Sequence, residues 1–502
     1  MQRRVIVIAL DGADPALLEK WSREGLLPRV RALLQRCARV ASSGVPPFGD
    51  GVFWPSFFTC AGPAKHGRYY RIQQARASYG WMRFNDDEHF AREPLWQIAS
   101  AAGRRVALVD VPNAPLVRNL NGVQLVDWLV HDRCGSMRSW PADLAADVAA
   151  RFGTDPNGGA ADPAHTGHRT RSTIETLTPQ LVWRIETKAR LCVELMKQSD
   201  WDLVIAGFQE AHDIGHLAWH MHDEMHPLHE SRGVPSFDPV KEVYVALDAA
   251  VGALIERAGE GATIVLLAGL GMGPKCTGNF HLDGILRNIE NGERHRSYLD
   301  VARNIYRMLP QRLRAPLKPA SARADSAART TDRRHRKCYA VPHNENAGAV
   351  RINLKGREPA GRVSPGREYD ELCEELSAKL QTLINVDTGG SAVDAVVKTA
   401  DQFSGPCLDR LPDLLVLWNR TAPIHALRGR GIEQTPHKVP GVWTGDHVYR
   451  AGAFIAGRGI EAVERNEPVS VMDLGATVAD WLGISVPDAD GASIAEALSG
   501  RS

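Results

Sequence analysis

The stretch Trp201-Asp-Leu-Val-Ile-Ala-Gly-Phe208, followed at once by Gln209-Glu-Ala-His212-Asp-Ile-Gly-His216-Leu-Ala-Trp-His220, decides how this chain is read. A short apolar run closed by polar residues suits a strand buried on both faces of a sheet, as in parallel α/β architectures. Open α/β sheets place their chemistry just beyond the carboxyl ends of such strands, and neutral imidazole is the commonest metal ligand. Six of the 18 histidines lie between residues 212 and 229. His212 and His216 are four apart, so on a helical turn they share a face and can grip one ion, and His220 continues the row.

Working outward, runs of the same kind recur at Val5–Leu10, Val106–Val111, Thr263–Ala268, Leu414–Trp418 and Ala453–Ala456. Between them, Asp14–Leu34 and Val243–Ile255 space their apolar residues as amphipathic helices do. The expected fold is α/β, one domain over residues 1–502, with a large, mostly parallel central sheet and helices on both faces. Two stretches interrupt the pattern. Residues 152–171 are rich in turn formers and read as an exposed loop insertion. Residues 311–337 carry nine Lys or Arg against Asp325 and Asp332, and sit within a variable basic insertion over 290–345. That insertion reads as a solvated excursion, or as a lid over an anionic ligand. Arg351, Lys355 and Arg357 read as a solvated strand face.

Composition narrows the function classes. With 60 basic and 59 acidic side chains the molecule projects no strong field, which argues against general nucleic-acid binding. Eight cysteines are scattered without a CxxC pair, as expected of reduced thiols rather than a disulfide framework. The apolar run behind the basic start, Val5–Leu10, is shorter than a secretory signal requires, and no run approaches a membrane span. A cytoplasmic protein without membrane attachment is the expectation, with oligomeric state left open.

Asp11, in Leu10-Asp11-Gly12, stands at the carboxyl end of the first strand. His447, in Trp443-Thr-Gly-Asp446-His447, is flanked by turn residues just ahead of another strand. His66, in Pro63-Ala-Lys-His66-Gly67, reads as a structural hydrogen-bonding residue at a turn. His220, His222, His226 and His229 either assist binding of a phosphate or simply cover a helix surface.

The order Val-Ile-Ala-Leu-Asp11-Gly, Trp54-Pro-Ser-Phe-Phe-Thr59-Cys-Ala-Gly-Pro63-Ala-Lys-His66-Gly67, the His212/His216 block and Thr444-Gly-Asp-His447 resembles the alkaline phosphatase superfamily. Within it, the chain looks most like the type I phosphodiesterase/nucleotide pyrophosphatase group. Gly348–Pro359, Leu411–Trp418 and Val471–Gly483 add to the likeness, which spans nearly the whole chain. The resemblance implies an alkaline-phosphatase-like fold with a small inserted subdomain. It also implies a hydrolase of phosphodiesters or nucleotide-like phosphate esters, with two metal sites, usually zinc, clamping an in-line displacement at phosphorus.

Carried over by position, Asp11, His216 and His447 match metal ligands. Three positions depart. The slot of the Thr or Ser nucleophile falls on Asp50 in Gly49-Asp50-Gly51. The Asp-His-Gly-Met ligand motif reads Gly269-Leu270-Gly271-Met272. The first residue of the four-spaced pair is His212 where the family has Asp, with Asp213 adjacent. These departures lead to the expectation of a single zinc or similar ion held by His212, His216 and His447, with metal-bound water attacking directly. Asp11 and Asp50 would position that water, act as general base, or hold a weak second cation. The alternative is a degenerate member that binds a metal or an anionic ligand without turnover.

Overall fold

The computed structural model describes residues 3–83, 90–130, 136–156, 170–229, 237–291, 332–344, 346–438 and 443–499. Nine strands form the central sheet, in the order Glu464–Ser470, Ala38–Gly44, Ala451–Ala456, Ala262–Ala268, Arg4–Leu10, Leu203–Phe208, Val106–Val109, Gly122–Val126 and Arg138–Trp140. The five strands from Ala262–Ala268 to Gly122–Val126 are mutually parallel, while Ala451–Ala456 runs antiparallel to both its neighbours.

The first strand shows why the apolar runs are unbroken. Ile6, Ile8 and Leu10 point into one core layer, with the helices Pro15–Arg23, Arg171–Gln198 and Pro239–Ala258. Val5, Val7 and Ala9 point into the other, with Asp50–Thr59 and Val471–Trp481. Alternate residues face opposite sides, and because both sides are covered, every position must be apolar.

Three expectations need correction. Leu414–Trp418 is a strand, but in a separate antiparallel sheet of four, ordered Cys338–Val341, Ala347–Ile352, Leu414–Trp418 and Val393–Lys398. One face of that small sheet packs with Asn279–Asn291 and Arg367–Gln381 around its own core, and this is the small subdomain. The span Asp14–Leu34 is two helices, Pro15–Arg23 and Pro28–Leu34, because Gly25 takes φ 84° and Pro28 starts a new helix. Arg351 and Arg357 are not a solvated face. Arg351 pairs with Glu358 at 2.7 Å, and Arg357 with Glu358 at 3.0 Å and Asp413 at 2.7 Å, with Glu358 and Asp413 nearly inaccessible.

Of the loop expected over 152–171, residues 157–169 lie outside the described residues, and Asp155 at its start is buried against Arg184. Of the basic insertion, 292–331 lie outside them too. At its end Arg336 is buried and paired with Asp283 and Glu290. The seven described cysteines are all buried and unbridged. Among the described residues no helix is long and apolar enough to cross a membrane.

Candidate metal centre

The strand Leu203–Phe208 delivers the chain directly into the helix Glu210–His222. Buried ion pairs from the long helix Arg171–Gln198 fix its first turn. Lys188 meets Glu210 at 2.7 Å, and Arg184 meets Asp213 at 3.1 Å. Asp213 thereby shares the Arg184 guanidinium with Asp155.

On the opposite side of this helix, His212 and His216 meet His447, which arrives on the short strand Gly445–His447. The three ring centroids lie 4.5 to 5.0 Å apart, all three residues are buried, and their ligand atoms fall within 4.8 Å of one another. Two glycines make the approach possible. A Cβ on Gly445 would stand 2.1 Å from the Gly215 carbonyl oxygen. One on Gly12, whose φ is 68°, would stand 2.5 Å from the Cα of His212.

The hydrogen bonds behind the rings fix their chemistry. The Nδ1 of His216 lies 2.9 Å from the Gly445 carbonyl oxygen, and that of His447 lies 3.1 Å from the Leu270 carbonyl oxygen. A carbonyl can only accept, so in each neutral ring Nδ1 carries the hydrogen and Nε2 the lone pair. His212 donates from Nδ1 to Asp11 Oδ2 at 3.0 Å, while Trp54 Nε1 donates to Asp11 Oδ1 at 2.7 Å. The Nε2 atoms of His212 and His216 then face each other at 3.1 Å, and the buried Nε2 of His447 has no hydrogen-bond partner. Bare lone pairs at that separation repel unless a cation lies between them. Burial, reinforced by the neighbouring His212 and His447, holds the His216 imidazole well below its ordinary pKa, so a proton is disfavoured there. Three Nε2 donors, each oriented from behind by an oxygen, match what a zinc-like ion requires.

Asp11 therefore stands behind His212 rather than beside the other two imidazoles. Asp50 opens the helix Asp50–Thr59, and its Oδ2 lies 3.9 Å from His447 Nε2. Its Oδ1 is buried without a hydrogen-bond partner. The segment Gly269-Leu270-Gly271-Met272 contributes no ligand side chain. Leu270 is buried and Met272 packs where a Cβ of Gly215 would be. The remaining histidines of the 212–229 stretch make local hydrogen bonds, His226 through its Nε2 to the Thr444 carbonyl at 3.3 Å. His220 bonds to Thr444 Oγ1 at 3.1 Å, His222 to Asp238 at 2.8 Å, and His229 to the His220 carbonyl at 2.9 Å. His66 meets Ser56 Oγ at 3.0 Å and accepts from the Arg68 backbone at 3.2 Å, in keeping with a structural turn residue.

His343 and Asn344, which no sequence motif marks, close the site beside Asp50. The Asn344 amide occupies the space where a Cβ of Gly49 would sit. Neither ring nitrogen of His343 nor the Asn344 amide finds a well-aligned hydrogen-bond partner, although both residues are buried. Burial pushes the His343 imidazole down to about 4 against the pull of the Asp50 carboxylate, so it stays a neutral donor. Only unpartnered buried polar groups could have marked these two positions, and those appear only in three dimensions.

The doubly covered α/β sheet thus carries a cluster of candidate metal ligands beyond its central strands, beside a carboxylate at a helix N-terminus. The family model for type I phosphodiesterase / nucleotide pyrophosphatase matches residues 5–441, and the chain belongs to that family. A search among curated proteins finds no match. Among solved structures, the human ectonucleotide pyrophosphatase/phosphodiesterase 5 is similar at 11% identity, with 99% of this chain and 100% of that one covered and a TM-score of 0.52. The murine enzyme, in an inactive form in complex with AMP, is similar at 11% identity, 98% coverage of both chains and a TM-score of 0.51. Phosphonoacetate hydrolase from Sinorhizobium meliloti 1021, in complex with phosphonoacetate, is similar at 13% identity, 96% coverage of both and a TM-score of 0.50. At these identities the likeness shows the fold.

Proposed function

We propose that this chain hydrolyses phosphodiesters or nucleotide-like phosphate esters with one divalent ion, held by His212, His216 and His447, in a single displacement by water. The observation that supports it most directly is the convergence of three imidazole lone pairs, each with its Nδ1 tied back. A zinc-like ion bound there supplies Lewis acidity toward a phosphoryl oxygen and toward water.

The chain's own groups divide the remaining work. Asp50 replaces the hydroxyl nucleophile with a carboxylate, and its unpartnered Oδ1 accepts the proton of the attacking water. The first turn of the helix Asp50–Thr59 presents backbone N–H groups that favour an anionic phosphoryl group. His343 and Asn344 add neutral donors beside it. Asp11 orients His212 and raises its basicity as a ligand.

Stereochemistry tests the reading. With a chiral phosphorothioate diester the product should show inverted configuration at phosphorus, and Asp50→Asn should keep its metal while kcat falls by about 10²–10⁴-fold. Net retention, or phosphate covalently attached to Asp50 during turnover, would overturn the single displacement. Metal retained with no hydrolysis over a panel of phosphate, phosphonate and sulfate esters would make the chain a binding protein instead.

A further inference from the structure

We propose that Asp387, His425 and His437 form a second divalent-metal site, on the small subdomain and apart from the buried cluster, suited to a borderline transition ion such as zinc. Their ligand atoms lie within 4.8 Å of one another. None belongs to a motif through which the chain resembles its family, and none takes part in the chemistry above.

Backbone hydrogen bonds from three segments build this site. The short strands Ile384–Asn385 and Leu427–Arg428 pair antiparallel, Ile384 with Arg428 and Asn385 with Leu427. The Val386 N–H continues the ladder to the Ala426 carbonyl at 3.0 Å, which sets Asp387 opposite His425. The Asn385 side chain braces both ends. Its Oδ1 accepts from the Asp387 N–H at 3.1 Å, and its Nδ2 donates to the Pro423 carbonyl at 2.9 Å. A third segment runs alongside, with Thr435 N–H donating to the Leu427 carbonyl at 2.8 Å and Lys438 N–H to the His425 carbonyl at 2.9 Å. That carbonyl also takes His281 Nε2 at 2.9 Å.

The side chains on this frame share one carboxylate. Asp387 Oδ2 lies 2.7 Å from His425 Nδ1, and Oδ1 lies 3.8 Å from His437 Nε2. The two imidazoles stack with centroids 5.0 Å apart and planes 28° from parallel. As a pair of salt bridges the arrangement is poor, since protonating both rings stacks two cations. A single ion takes both lone pairs and the carboxylate together. Ligand bonds of about 2.0–2.2 Å require the donors to close in slightly, and with side chains 30%, 37% and 61% exposed the rings have room to turn. Two imidazoles and a carboxylate leave a coordination position for water, as neutral N/O sets of this size do. Such an ion would tie the Asp387 turn to the segment 435–438, which leads in the chain to Trp443 and His447. Trp443 stacks on His216 at 4.2 Å.

Zinc stoichiometry tests this directly. Chelator-stripped full-length protein and the His425→Ala/His437→Ala variant are titrated with zinc against a chromophoric chelator of micromolar affinity, with circular dichroism confirming that the variant is folded. Two ions per wild-type chain and one per variant chain support the proposal. One and none would support it too, and would place the failure in the buried cluster instead. Equal stoichiometry in the two proteins overturns it. Asp387→Asn supplies an independent arm, because it keeps the shape of the turn while removing the shared charge, and it too should lower the stoichiometry by one. An unchanged count for Asp387→Asn counts against the site.

Discussion

Two strands flank Arg4–Leu10 in the central sheet, and beyond their carboxyl ends the chain has gone two different ways. After Phe208 it enters a helix that presents His212 and His216 to a common point with His447. After Ala268 it passes through Gly269-Leu270-Gly271-Met272, where the family resemblance implies a second set of ligands and this chain has no ligand side chain. That side serves packing. Leu270 lies against the position a Gly44 Cβ would take, Gly271 against the Asp14 carboxylate, and Met272 against Gly215. Yet the Leu270 backbone still serves the other side, because its carbonyl orients His447. The contrast teaches that a segment without a ligand side chain can still hold a neighbouring imidazole cluster in register through its backbone.

The largest effect should come from breaking the retained side. His216→Ala removes one of three donors, and zinc affinity should fall by about 100-fold or more, since even the partners behind a ligand are worth ~10–100-fold. Equilibrium dialysis and a chromogenic phosphodiester assay check this, and full metal content with full activity would remove the cluster from the mechanism.

A smaller effect, in the opposite direction, should come from rebuilding the lost side. Gly269→Asp with Leu270→His restores the missing ligand types. A Cβ at 269 would stand 3.3 Å from the Leu10 carbonyl and 3.4 Å from Asp11 Oδ1, so the carboxylate fits after a slight shift. In a His425→Ala/His437→Ala background, elemental analysis should show one more ion per chain than in that background alone. An unchanged count would mean that the Trp54 bond to Asp11 has closed this side to a cation.

The smallest effect separates the three converging imidazoles from one that serves the fold. Burial drives His66 down to about 3, with Arg68 and Arg92 adding to the shift. The folded state therefore keeps this ring neutral, while the unfolded chain takes up a proton below about 6.5. Stability should accordingly fall as pH drops from about 6.5 toward 3, by up to ~1.4 kcal/mol per pH unit for this one group. Thermal melts of His66→Gln should show a shallower acid slope, by about one proton, with zinc content unchanged. An identical slope would show that His66 does not carry the linkage.

Legibility differed by element for physical reasons. Strands such as Leu203–Phe208 were readable because a doubly covered sheet forces every position to be apolar. His212 and His216 were readable because the helical repeat alone puts residues four apart on one face. His447 depended on family likeness, since a loop histidine has no local signature. Arg351 and Arg357 misled because remote residues cover them, Asp413 pairing with Arg357 and the Asp409 and Leu411 carbonyls accepting from Arg351, and a charge reads as solvated until its partners are seen. His343, Asn344 and the Asp387/His425/His437 group had no periodicity at all to betray them.

By itself, then, the sequence determined the buried strands of the central sheet and the helical histidine pair, because these depend on residue type and local repeat, whereas the departures at positions 50 and 269 were legible only through the family likeness. Only the tertiary structure decided which nitrogen of each imidazole faces the cluster, that Asp11 backs His212, and which polar groups near Asp50 are buried without hydrogen-bond partners. Those are properties of distance and hydrogen-bond direction between segments far apart in the chain, and no local pattern encodes them.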